Sequence, residues 1–296
     1  MKRALIILTA AVGIAALLMA YGYFIEPHRL VINHVRVPVD GLDPAFEGLR
    51  IVAISDIHGG SHGVDEARIR QVVAEINKLD ADVVVILGDF VSQVSEDRPV
   101  AERSLRMPVS TIAANLRGIE SNDGVLAVLG NHDGWHGNEE IDAELTAAGI
   151  NVLLNEVAVV ERNGKRLRFF GMRDHLHMGT WGTFPNDMPR AVASFDTTGD
   201  LIVLQHSPDI FAAVNAMNTF GDPFKLMIAG HTHGGQIWFP VIGAPIVPSS
   251  FGQKYSSGVF REKNKTLFVS TGIGLSILPF RFMVPPEIAV LTLTKH

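Results

Sequence analysis

Hydrophobic and polar positions along the chain fall into three regimes. The first is an unbroken apolar stretch, with no charged residue from Ala4 to Ile25. A helix over it would run about 33 Å at 1.5 Å per residue, enough for the hydrocarbon core of a bilayer. Tyr21, Tyr23 and Phe24 stand at its far end, where aromatic side chains favour the membrane–water boundary. The pattern predicts a single N-terminal membrane anchor over residues 1–28. A cleaved signal peptide and a buried core helix are the competing readings, and "LMA" is a poor small-x-small cleavage site. A linker and a first strand are expected over 29–47, where "VINHVRVPV" (31–39) alternates with a period of two.

The second regime alternates apolar runs with amphipathic ones. "GLRIVAISDIHGG" (48–60), "ADVVVILGDF" (81–90) and "GVLAVLGNHDG" (124–134) read as buried strands with polar ends. Between them, Ile69, Val72, Val73, Ile76 and Leu79 share one helical face, with Asp65 as N-cap and Glu66 in the first turn. Val109, Ile112, Ala113 and Leu116 repeat that spacing, and a short helix is expected over Glu139–Ala148.

The third regime is mostly strand. Residues 157–172 fold back around Asn163-Gly164, a strong hairpin signal, and 256–272 give a second hairpin. Residues 200–217 read as a strand, His206, then a helix with Ser207 as N-cap and Pro208 as its first residue. "FKLMIAGHTHGG" and "EIAVLTLT" (287–294) supply further strands. Together these predict an α/β sandwich of mixed sheets over 48–296 rather than one doubly wound sheet.

Composition narrows the chemistry. The 296 residues include no cysteine, which excludes disulfides and thiolate metal sites. Any metal must be held by His, Asp, Glu or Asn, a donor set suited to Mn, Fe or Zn. The net charge of −6 and the lack of a basic stripe argue against nucleic acid as a partner. Lys2 and Arg3 before the apolar stretch nearly balance Arg29 and Arg36 after it. Glu26 tips the expectation towards a cell-membrane protein whose main domain is extracytoplasmic.

Five apolar strands end in residues that ligate metals: "DIH" (56–58), "GD" (88–89), "GNHD" (130–133), "QH" (205–206) and "GHTH" (230–233). In open α/β sheets, sites gather beyond the carboxyl ends of strands. This ordered set resembles the calcineurin-like metallophosphoesterase superfamily from about Leu49 to the C-terminus. "GHTHGGQI" and "GLSILPFRFMVPPE" (274–287) are similar to its bacterial membrane-anchored phosphodiesterases.

The resemblance implies a four-layer α/β/β/α sandwich of two mixed sheets and two divalent ions (Mn, Fe or Zn). Asp56, His58 and His233 would hold one ion, and Asn131, His206 and His231 the other, with Asp89 bridging. Gly234 and Gly235 would keep the backbone slim beside the metals. His132 would contact a phosphate oxygen or protonate the leaving alkoxide, and Asp133 would orient it. Ser92 stands where purple acid phosphatases carry tyrosine, and "GDFVSQ" lacks the Asp-Arg-Gly signature of Ser/Thr protein phosphatases. One branch of lipid A precursor hydrolases carries Arg at the position of His132.

Further expectations concern the surroundings. His62 reads first as a solvated loop histidine and second as a substrate contact; Asp174, His175 and His177 are candidates to line the substrate entrance, and Trp135 and His136 are candidates for its mouth. Two proline-broken apolar segments, 237–251 and 275–286, are either core packing or a rim that docks on the membrane or grips acyl chains. Trp238, Phe239, Phe280 and Phe282 would then be wedges, and Arg281 would meet a lipid phosphate. The expected function is a monomeric, membrane-tethered hydrolase of a phosphodiester or pyrophosphate. A UDP-2,3-diacylglucosamine-type molecule (as in lipid A biosynthesis), a phospholipid or a cell-wall polymer would suit as substrate. The alternative is a non-catalytic scaffold of the same fold.

Overall fold

The computed structural model describes residues 2–94, 103–174 and 198–295. One sheet has the order β1-β12-β2-β3-β4-β5. At its centre β2 (Arg50–Ile54), β3 (Val83–Leu87) and β4 (Val125–Val128) run parallel, with β5 (Asn151–Val152) beside β4. β12 (Glu287–Lys295) pairs antiparallel with β2, and β1 (Val31–Val39) pairs parallel with β12 over its whole length. The stretch after the apolar N-terminal segment is therefore stitched into the first sheet.

The second sheet has the order β10-β11-β9-β8-β7-β6. β7 (Lys165–Gly171), β8 (Asp200–Leu204), β9 (Phe224–Ala229) and β11 (Lys265–Val269) are parallel to their neighbours in this core. β6 (Glu156–Arg162) and β10 (Gly258–Glu262) close the edges as antiparallel hairpin partners. The first hairpin turns at Asn163 (φ 52) and Gly164 (φ 71), as a type I′ turn demands.

The period-two alternation of the central strands sets the layers. Ile51, Ala53, Val83, Val85 and Leu87 meet Phe169, Ile202, Leu204 and Ile228 between the sheets. The opposite faces, Val52, Ile54, Val84 and Ile86, pack under α2 (Glu66–Ile76), α3 (Val109–Leu116) and α5 (Asn138–Ala147). On the far side, Leu201, Val203 and Met227 lie under Phe211 and Val214 of α6 (Ile210–Met217). The result is the expected α/β/β/α sandwich, with burial of these strands as its main support.

Two local readings change. α6 starts at Ile210, not Pro208, because the Ser207 hydroxyl only accepts from the Asp209 N–H at 3.4 Å. The Asp209 carboxylate is occupied by the Ser249 hydroxyl (2.6 Å) and the Ser250 N–H (2.7 Å). Asn131 and His132 also begin a short helix, α4 (Asn131–His136), so they leave β4 on a helical first turn rather than on a loop.

α1 (Lys2–Phe24) is long and apolar enough to cross a membrane, and only Gly22 within it is buried. Its last turn is fastened to the domain. The Arg281 N–H donates to the Gly22 carbonyl (3.0 Å), and the Phe280 ring lies where a Cβ on Gly22 would be 2.7 Å away. His62 stacks on Tyr23 with ring centroids 4.3 Å apart and hydrogen-bonds its carbonyl at 2.9 Å. Arg68 donates to the carbonyls of Pro27 and His28, both at 3.1 Å. His62, read from the sequence as a solvated loop histidine or a substrate contact, thus packs against the last turn of α1.

Candidate metal centre

The parallel strands β2, β3, β4, β8 and β9 point their carboxyl ends to one side, and the polar residues that follow them meet there. Three groups of donor atoms lie close together: Asp56, His58 and His233; Asp89, His206 and His231; and His58, Asp89 and His132. The His58 and His233 Nε2 atoms are 3.2 Å apart, and His233 Nε2 is 3.5 Å from Asp56. His206 Nε2 is 3.1 Å from His231 Nδ1 and 3.2 Å from Asn131 Oδ1. Asp89 Oδ2 lies between the groups, 3.6 Å from His58 and 3.2 Å from His206.

The backbone bends sharply to bring them together. Asp56, His58, Asp89, His231 and His233 all have φ between 45° and 70°, the left-handed region that non-glycine residues rarely adopt. Close approach demands glycine at Gly130, where a Cβ would sit 2.2 Å from Asp89 Oδ1. A Cβ on Gly234 would meet Val284 and Thr271, and one on Gly235 the 244–247 segment, so these glycines let the loop turn against its neighbours, and Gly235 lines the same cavity as the donors.

Two of the imidazoles are aimed by their other nitrogen. His58 Nδ1 bonds the Val91 carbonyl (3.1 Å) and His206 Nδ1 the Leu87 carbonyl (2.7 Å), so both turn Nε2 to the centre. Burial pushes His58 down to about 3 and His233 well below the ordinary range, which keeps both neutral. Burial also lowers His206, but the Asp89 carboxylate outweighs it and lifts His206 well above the usual value. Burial lifts Asp56 to about 6 against the pull of His206, whereas Asp89 is held low by the surrounding imidazoles despite its burial. Two buried carboxylates beside the neutral rings of His58 and His233, and beside a His206 ring whose second proton a cation would displace, form a donor set that fits divalent cations.

His132 is the group beside this set that lines the cavity without belonging to the ligand scheme. Its ring is held by a residue that sequence reasoning missed. Gln93 Nε2 donates to the His132 carbonyl (2.7 Å), which turns Gln93 Oε1 towards His132 Nδ1 at 2.6 Å. An amide oxygen only accepts, so Nδ1 carries the proton and Nε2 is left for chemistry.

The role expected of Asp133 is therefore corrected. Its carboxylate oxygens accept from the N–H groups of Asp89 (2.8 Å), Gly130 (2.9 Å), Phe90 (2.8 Å) and Val91 (3.3 Å), and none of these bonds touches the His132 ring. Asp133 fixes the Asp89 loop instead. The Asp89 carboxylate in turn accepts from the His132 N–H at 2.9 Å.

Other expectations also move. Arg281 is fully buried and donates to the carbonyls of Val284 (3.0 Å), Thr271 (2.9 Å), Gly272 (3.2 Å) and Gly274 (2.6 Å). It cannot reach a lipid phosphate; it ties the 271–284 segment beneath the site. Asp174 is buried against a separate cavity of about 200 Å³, with Gly130, Asn138 and Arg173, and its charge acts on His206 from behind. His175 and His177 lie outside the described residues. The Trp135 ring lies 4.7 Å from that of His132.

The donors form one end of a cavity of about 460 Å³ whose other walls are apolar: Ile237, Phe239, Ile246, Ile277, Leu278 and Phe280.

Comparison with known proteins agrees with this arrangement. Residues 49–235 match the sequence profile of the calcineurin-like phosphoesterases. The chain is 29% identical over 277 residues to the uncharacterized metallophosphoesterase YkuE of Bacillus subtilis, covering 92% of this chain and 89% of that one. It is 25% identical to the phosphodiesterase YaeI of Escherichia coli, covering 99% and 98%. It is 31% identical to a transmembrane protein with metallophosphoesterase domain of Danio rerio, covering 96% of this chain but 62% of that protein's length.

Proposed function

The chain belongs to the calcineurin-like phosphoesterase family, and from that premise we propose that it is a membrane-anchored hydrolase of phosphodiester or pyrophosphate bonds with two divalent ions. The observation that carries this reading is the convergence of Asp56, His58, Asp89, Asn131, His206, His231 and His233, separated by up to 177 positions in sequence, around one carboxylate. Asp56, His58 and His233 would hold one ion, and Asn131, His206 and His231 the other, with Asp89 shared. When bound, such ions clamp the oxygens of the phosphoryl group and lower the pKa of a nucleophilic water.

The protein's own residues supply the rest. His58 and His206 keep Nε2 turned inward through their bonds to Val91 and Leu87. Asp133 holds the Asp89 loop in its left-handed turn. His132, whose Nδ1–H is held by Gln93, is placed in its imidazolium form to donate from Nε2 a proton to the departing oxygen or a hydrogen bond to a phosphoryl oxygen. The apolar wall of the cavity and the fastening of α1 favour a lipid-linked substrate held at the bilayer.

Hydrolysis of bis(p-nitrophenyl) phosphate by the purified full-length protein with added Mn²⁺, compared with Asp89→Ala, tests this. A loss of 10³-fold or so is expected for the variant. Equal rates for the two proteins would favour the scaffold reading.

A further inference from the structure

The two proline-broken segments flank the metal centre and also touch the anchor. Gln236 bonds the Leu278 and Phe280 carbonyls, the Trp238 N–H donates to the Phe282 carbonyl, and the Phe239 and Phe282 rings lie 5.5 Å apart. Phe280 lines the cavity and rests on Gly22; Tyr21 meets Phe282 edge-on at 6.4 Å. One aromatic ring therefore separates the cavity wall from the last turn of α1. A helix of 23 residues is about 35 Å long, so a span that starts at Lys2 brings Tyr21–Phe24 to the boundary of the hydrocarbon layer.

The segments themselves are unsuited to water. Residues 237–251 carry no charged side chain, and Arg281, the one charge in 275–286, is buried. Val241 is fully exposed, Ile277 is 83% exposed and Ile246 75%. Val241 (φ 74) and Ile277 (φ 57) are also β-branched residues in the left-handed region, where such side chains are outliers. Strain and solvent exposure fall together on the tips of two adjacent loops. Outside α1 and its exit, the large exposed apolar side chains concentrate in these segments.

We propose that the tips at Val241–Ile242 and Ile277–Leu278 insert into the leaflet where α1 emerges. The cavity then opens onto that leaflet, and an acyl chain of a phosphorylated lipid enters along Ile237, Ile246, Leu278 and Phe280 with its phosphate at the metal centre. The proposal rests on the phosphoesterase reading above and adds the substrate's route. The clamps at Gly22, Tyr23, Pro27 and His28 fix the orientation, so the protein takes its substrate from the bilayer without releasing it to water. In the reaction a water oxygen forms the new bond to phosphorus and gives up a proton, the ester P–O bond breaks, and the leaving oxygen departs with the bond's electron pair and takes up a proton.

The test uses the full-length protein in vesicles of phosphatidylethanolamine and phosphatidylglycerol. The chain has no cysteine, so Ile242→Cys, Leu17→Cys and Asp222→Cys each give one labelling position. Asp222 lies at the start of β9, roughly 23 Å from the ligands at the far end at 3.3 Å per residue. An environment-sensitive fluorophore at 242 and at 17 should be quenched by spin-labelled lipid, and one at 222 should not. Quenching at 17 without quenching at 242 overturns the proposal.

A second measurement compares bis(p-nitrophenyl) phosphate with a diacylglycerol p-nitrophenyl phosphate diester in the same vesicles. The double variant Val241→Asp, Ile242→Asp should lose 10-fold or more on the lipid diester and keep its rate on the soluble one. Equal rates of variant and wild type on the lipid diester also overturn it. A wild-type protein inactive on both diesters refutes the phosphoesterase reading, and the quenching experiment then decides the docking by itself.

Discussion

Gln93→Leu isolates the one catalytic arrangement that the motifs do not announce. The two bonds from Gln93 to His132, 2.6 and 2.7 Å long and buried, fix both the ring's tautomer and its angle. General acid catalysis is worth about 10²–10⁴ in rate, or about 2.7–5.4 kcal/mol at 1.36 kcal/mol per decade. Leucine keeps the volume but lets His132 rotate and exchange tautomers, so roughly 10- to 100-fold of that factor should be lost. The assay is steady-state hydrolysis of two diesters that differ in leaving group. With an alkoxide leaving group, which needs a proton, kcat should fall by that amount while KM changes by less than about 3-fold. With p-nitrophenolate, which departs unprotonated, kcat should stay within about 3-fold. Gln93→Glu keeps the geometry but sets a carboxylate beside Nδ1, favouring imidazolium and moving the pH profile's alkaline limb up by about one unit. Equal loss on both diesters, or a rise in KM alone, would refute the assignment of His132 as acid and Gln93 as its positioning residue.

Four further outcomes are expected. Chelation should lower Tm by roughly 5–10 °C, since a ligand at 100 times its Kd contributes about 2.7 kcal/mol to a domain of this size; calorimetry with and without Mn²⁺ reads it, and an unchanged Tm in demetallated protein counts against a cation site. Asp133→Asn turns an NH₂ towards backbone N–H donors and should cost on the order of 3 kcal/mol in urea unfolding; unchanged stability would mean the Asp89 loop is held by something else. Arg281→Met leaves four carbonyls without their donor and should cost about 3–5 kcal/mol, and a loss confined to lipid turnover would instead restore Arg281 as a substrate contact. Desolvation raises Asp82, but the Arg50 N–H and the Arg162 guanidinium outweigh it and hold the carboxyl below its ordinary value of 3.8. The stability it adds is present above that value and lost as pH falls through the lower folded one, so the Tm gap between wild type and Asp82→Asn should be flat from pH 8 to about 5 and close below about 4.

What could be read from the sequence follows from the range over which each residue acts. The strands and α2 were legible because burial of alternate or every third-to-fourth side chain is written locally; Asp65 caps α2 through the Arg68 N–H at 2.8 Å. The donors were legible because metal ligands must be particular side chains at strand ends, whatever lies between them. Asp133 and Arg281 were misassigned for the converse reason: their partners are backbone groups, which any sequence supplies. "GNHD" reads the same whether its aspartate orients an imidazole or caps a loop more than 40 residues earlier. "PFRF" likewise reads the same whether its guanidinium faces lipid or gathers four carbonyls. Gln93 gave no signal, since a glutamine after a strand is ordinary until the fold brings His132 to it.

The same distinction explains where the strain sits. Five of the proposed ligands are left-handed, a state that costs each of them about 1–2 kcal/mol and that no short peptide would hold. They persist because the strands leading into them are buried on both faces and because Asp133 collects the N–H groups that the Asp89 turn exposes. Val241 and Ile277 have no such frame over them: each is strained and exposed at a loop tip. For the ligands, the compensation is visible inside the protein. For the two tips, the docking proposed above would supply it from outside, beside the exit of α1 that Phe280 packs against.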